Sequence, residues 1–86
     1  MESILINKKP QRLWEWREYK SGSLIENGIA LNETATFVWK LCDGKGTINQ
    51  IILELLKKYS VSKQKAKKDV LNCIKTLAKE KTIQLN

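Results

Sequence analysis

The chain has 86 residues, 42% of them hydrophobic and 29% charged, which is enough for one compact domain with a modest core and leaves little room for a deep catalytic cleft. Lys and Arg number 16 against 9 Asp and Glu, a formal charge of +7 with pI near 9.6, so an acidic partner is favoured: nucleic acid, an anionic membrane or an acidic peptide. There is no histidine, which removes the usual general base near neutral pH and the commonest metal ligand.

Residues 1–10 read as an irregular lead-in with Pro10 as punctuation. Residues 11–19 alternate with period two. Trp14 and Trp16 share one face, Glu15 and Arg17 the other, and this predicts a strand. Ser21-Gly22-Ser23 signals a turn, and Leu24-Ile25-Glu26 a second short strand. Asn27-Gly28 is the dipeptide most typical of a two-residue hairpin turn, because both positions tolerate positive φ. Ile29-Ala30-Leu31 follows as a third strand with Ile29 and Leu31 on one face.

The period then changes. Asn32 suits a helix N-cap, and Ala35, Val38, Trp39 and Cys42 fall on one helical face until Asp43-Gly44 and Gly46 end it. Thr47 and Gln50 form a capping box before Ile48, Ile51, Ile52, Leu55, Leu56 and Tyr59, the clearest amphipathic helix in the chain. Ser62 caps a third helix, predicted from Lys63 to about Lys81. Ala66, Val70, Cys73, Ile74 and Leu77 form its core stripe, and Leu71 and Ala78 widen that stripe on one flank. Ile83 and Leu85 suit a short final extended piece. The whole is predicted to be an α+β, winged-helix-like domain over residues 11–86: a three-stranded antiparallel meander followed by three helices.

Chemistry-bearing motifs are absent. Gly44-Lys45-Gly46 is too short for a phosphate loop. Cys42 and Cys73 are far apart and sit on apolar stripes, where a free thiol packs as a small hydrophobe. The carboxylates are scattered beside Lys and Arg. No catalytic residue, metal or cofactor is expected, and the chain reads as built to bind rather than to react. The start shows neither the longer apolar core of a signal peptide nor a membrane-spanning run, so a cytoplasmic protein without a membrane partner is expected.

Leu31-Asn32-Glu33-Thr34-Ala35, then Trp39-Lys40-Leu41-Cys42-Asp43-Gly44, then Thr47-Ile48 opening an aliphatic helix resemble the pattern of the PqqD family. Tyr59-Ser60-Val61-Ser62 and Asp69-Val70-Leu71 with Leu77 extend the resemblance, which covers about residues 12–83. Two positions depart from it. Lys81-Thr82-Ile83 stands where the family often has a Gly-hydrophobic pair, and Cys73 where a larger apolar residue is common.

The resemblance implies a winged-helix fold whose members bind the leader region of a precursor peptide and present it to a modifying enzyme, a radical S-adenosylmethionine protein in pyrroloquinoline quinone synthesis. On that reading the leader would add as a strand beside Ile29-Ala30-Leu31, since an open strand edge offers unpaired N–H and C=O groups. Gly28, Ile29, Ala30 and Leu31 would supply the edge. Lys67, Leu71, Ile74, Lys75 and Ala78 would supply a helix wall, with Leu71 and Ile74 receiving apolar side chains and Lys67 and Lys75 steering an acidic leader.

Each assignment has a plainer counterpart. Leu71 and Ile74 also read as core, the lysines as a solvated face, and Gly28 as a turn residue only. Trp14 and Trp39 read as core rather than stacking platforms, and Trp16 is open. The rival function is a nucleic-acid-binding winged helix, but the last helix carries seven lysines and no arginine, which suits phosphate contact more than base reading. A structural subunit of a larger enzyme is a third reading. The open edge could also pair two copies as a homodimer.

Overall fold

The computed structural model of the protein describes residues 5–86. Its helices begin where a side-chain oxygen can satisfy the first free backbone N–H groups. Asn32 accepts from the Ala35 amide at 2.8 Å and opens α1, Glu33–Lys40. The Thr47 amide donates to Gln50 Oε1 at 2.7 Å and the Gln50 amide to Thr47 Oγ1 at 3.2 Å, opening α2, Ile48–Lys58. Ser62 accepts from the Lys65 amide at 3.1 Å and opens α3, Lys63–Lys79. α3 stops short of the predicted Lys81, because the chain turns left-handed there, with φ 58°. The Lys81 and Thr82 amides then fold back onto the carbonyls of Ala78 and Leu77, each at 3.0 Å.

The single strand predicted over residues 11–19 is two strands. β1, Pro10–Arg12, breaks off before β2, Trp16–Tyr19. β1 pairs antiparallel with the C-terminal β5, Ile83–Leu85, in a separate ribbon that matches Pro10 with Leu85 and Arg12 with Ile83. Pro10 tolerates this position because it is the first residue of its strand. The other side of β1 bonds the turn after α1: the Arg12 amide donates to Cys42 O at 2.9 Å and the Gly44 amide to Pro10 O at 2.8 Å. Arg12 then closes α1 by donating to the carbonyls of Trp39 at 3.0 Å and Lys40 at 2.7 Å. Of the lead-in expected over residues 1–10, positions 1–4 lie outside the described residues. Ile6 and Lys8 accept from the first amides of α2, and Lys9 exchanges bonds with Asn86.

β2 runs antiparallel to β3, Gly22–Ile25, and β3 to β4, Ala30–Asn32, in the order β2-β3-β4. This is the predicted three-stranded meander, with both later strands displaced by one or two residues. The β3–β4 connection is not a two-residue turn. The Gly28 amide donates to Ile25 O at 2.8 Å and the Ile25 amide to Ile29 O at 2.9 Å, which leaves a three-residue loop. Gly28 has φ 100°, the left-handed value that such a loop requires of its last residue.

Among the described residues, α1 packs on β3 and β4, and α2 and α3 pack on α1 and on each other. Ile25, Val38, Trp39, Ile48, Ile51, Leu55, Val70, Ile74 and Leu77 are buried among the core residues. The buried hydroxyls of Ser23 on β3 and Thr36 on α1 meet at 2.7 Å, so neither is stranded inside. Trp39 is fully buried as expected. Trp14 is not: it is 45% exposed, and its indole Nε1 donates to Lys81 O at 3.2 Å. Trp16 takes the inner place and meets Trp39 edge-on, with ring centroids 6.4 Å apart.

Candidate functional site

β4 is an edge of its sheet, and among the described residues no strand pairs with its outer side. Its register decides which groups that side offers. Ile25 and Ile29 form a hydrogen-bonded pair, so Leu24 opposite Ala30 is a non-bonded pair and Ser23 opposite Leu31 is bonded again. The N–H and C=O of Ala30 therefore point away from β3. The Ala30 side chain is exposed, while those of Ile29 and Leu31 are half-buried on the other face.

Ile29 and Leu31 form one wall of a groove of about 260 Å³ whose other wall is α3. Asn72, Cys73, Thr76, Leu77 and Glu80 line the α3 side, and Ala35 of α1 lines it too. The edge predicted from sequence thus meets the helix predicted from sequence, but through a different flank of it. Ile74 is fully buried and Leu71 is 4% exposed, so both serve the core. Ala78 is half-buried against the core and does not line the groove. Lys67, Leu71 and Lys75 line a separate depression of about 210 Å³ with Gln64, Lys68 and Asn72. Gly28 is exposed and has no atom near its open side, as a turn residue would.

Asn72, Thr76 and Glu80 line the groove and are not among the residues named from the sequence. They are polar and exposed, outside the apolar stripe from which the helix wall was drawn. Cys73 carried the usable signal, as a small residue where the family tends to place a larger one. In the structure Cys73 is half-buried in the groove wall, whereas Cys42 is fully buried and its Sγ donates to Val38 O at 3.3 Å. Both are free thiols. Burial pushes the Cys73 thiol up to about 11. Burial, and then the proximity of Cys73, pushes Cys42 up to about 12. Neither has the lowered value of a nucleophilic thiolate. Asp43 is held below its ordinary value, first by the Lys45 amide, which donates to its carboxylate at 2.9 Å.

A larger depression, about 670 Å³, runs along α2 and the turn after α1, with Leu41, Ile51, Leu53 and Leu56 among its lining. Its wall is mainly helix, whose backbone groups are bonded internally, so it offers apolar contact but no strand edge. Among the described residues no cluster of three or more His, Cys, Asp or Glu could hold a metal ion. No helix among them is long and apolar enough to cross a membrane.

The class that these features define is a small α+β domain with an open strand edge facing a helix. Residues 20–83 match the family model described as coenzyme PQQ synthesis protein D (PqqD). The chain belongs to the PqqD family. A curated relative, a PqqA binding protein from Methylococcus capsulatus, is 34% identical over 61 residues, which cover 67% of this chain. The matched region spans 66% of that relative's own length. No solved structure matches the chain significantly.

Proposed function

We propose that the chain is a non-catalytic adaptor that captures the leader of a precursor peptide by strand addition at β4. It then presents that peptide to a modifying enzyme, of the radical S-adenosylmethionine class in the pathways this family serves. Membership of the PqqD family and the similarity to a PqqA binding protein support the peptide partner. The observation that carries the mode of binding is the outward backbone of Ala30 above the Ile29–Leu31–Leu77 groove. Main-chain bonds to Ala30 hold an extended segment of many sequences. Alternate side chains of that segment enter the groove and give selectivity.

The test is hydrogen exchange, read residue by residue, with and without a synthetic leader of the short reading frame nearest the gene. Ala30 N–H exchanges quickly in the free protein and slows on binding. Ala30→Pro removes that donor without removing a β3–β4 bond, and is expected to weaken calorimetric affinity by about tenfold or more, the worth of a main-chain bond lost with its partner left unpaired. Circular dichroism establishes that the variant is folded. Unchanged exchange at Ala30 in a saturated complex rejects strand addition.

A further inference from the structure

The groove beside β4 ends on Asn72, and Asn72 also lines the depression formed with Gln64, Lys67, Lys68, Leu71 and Lys75. The two hollows therefore adjoin across one side chain. Their chemistry differs. The first is walled by Ile29, Leu31, Cys73 and Leu77, and its acidic member is Glu80. The second has three lysines and no carboxylate in its lining.

The nearby carboxylate on the same helix, Asp69, is engaged by Lys65 at 3.2 Å. Among the described residues, no ion pair forms to Lys68 or Lys75, both of which are exposed. Lys79 continues the row one turn beyond Lys75. α3 rises about 1.5 Å per residue, so Lys68 and Lys75 stand about 10 Å apart along it, the length of about three residues of extended chain.

Resting on the strand-addition reading, we infer that the lysine hollow is a second subsite, which takes an acidic run of about three residues flanking the apolar anchor of the bound peptide. The substrate class is then an extended segment with apolar side chains at alternate positions and Asp or Glu directly beyond them. Such charges add register and selectivity more than raw affinity, because both partners stay at the solvent rim. An exposed ion pair is worth less than about fivefold in affinity, so loss of two lysines weakens binding by about tenfold at low salt.

Selection of displayed random peptides on the folded protein tests this, with Ala30→Pro as the counter-selection and slowed exchange at Ala30 N–H as the sign of edge binding. Enriched peptides are expected to carry alternating apolar residues with an acidic run on one side. A synthetic representative should lose about tenfold on Lys68→Gln/Lys75→Gln at low salt, and wild-type binding should approach the variant's as salt is raised. If enriched peptides slow Ala30 exchange but lack acidic residues, or ignore the double substitution, the lysine subsite is overturned and strand addition stands. If none of the retained peptides slows Ala30 exchange, strand addition falls and takes the subsite with it. If a single-stranded oligonucleotide displaces the selected peptide and binds more tightly, the lysine row belongs to a nucleic acid and the inference is overturned.

Discussion

Lys81 is the residue of the described chain, glycines aside, that sits at positive φ, 58°. It occupies the left-handed position just past α3, where a Cβ crowds the backbone and glycine is the usual solution. The departure noted in the sequence at Lys81-Thr82-Ile83 thus falls where the backbone takes a conformation that favours glycine. Lys81→Gly is expected to raise stability by about 0.5–1 kcal/mol, the relief of strain exceeding the extra freedom glycine gives the unfolded chain. Urea unfolding measures it, and an unchanged midpoint at constant slope contradicts the strain argument. The carbonyl of Lys81 still accepts from Trp14 in the variant, so the change isolates the dihedral from the contact. Trp14 itself shows the limit of reading residues one at a time. Its parity with Trp16 places both on one face of a continuous strand, but the break at residues 13–15 shifts the phase and turns Trp14 outward.

Elements whose signals are local were legible, and the partner of a strand made by distant pairing was not. Asn32, Thr47 and Ser62 cap helices within three residues of themselves, so all three helix starts could be read directly. The alternation of Ile83 and Leu85 about Gln84 marks β5 as extended, whereas nothing within either three-residue strand says that β1 and β5 pair across most of the chain. The candidate site divides in the same way. The parity of Ile29 and Leu31 follows from the strand, whereas the flank of α3 that meets them depends on how helix and sheet dock, which the helical stripe leaves open over a wide arc.

Gly22 belongs to this scale as well. It was read as a turn residue, but it sits in β3 opposite Asn32, where an added Cβ would overlap the carbonyl oxygen of Leu31. That oxygen is backbone and cannot step aside, so a side chain here pushes β3 and β4 apart. Gly22→Ala is expected to cost about 1–3 kcal/mol in unfolding free energy. Chemical-shift changes in the variant should concentrate on Leu31 and Ala30, and shifts confined to the β2–β3 turn would reject a role in holding the edge.

For the molecule as a whole, the missing histidine leaves no side chain with an ordinary value of about 6.5, and the two thiols add their own contribution to the alkaline side. Their ordinary value is 9.0, and the fold raises Cys73 to about 11 and Cys42 to about 12. A raised value means that the folded state keeps its proton when the unfolded chain has lost it. The stabilisation is therefore complete below pH 9 and drains away as pH rises toward the folded values. Each thiol contributes a slope of up to about 1.4 kcal/mol per pH unit in that window. Lysine titration is common to wild type and variant and cancels between them. Cys42→Ala lowers stability at neutral pH by opening a small cavity beside Val38 and Trp39, yet it should flatten the decline above pH 9 by that one thiol's share. Urea unfolding under reducing conditions, repeated across the alkaline range, gives both slopes. Parallel declines would show that the Cys42 thiol is not held neutral by burial in the core.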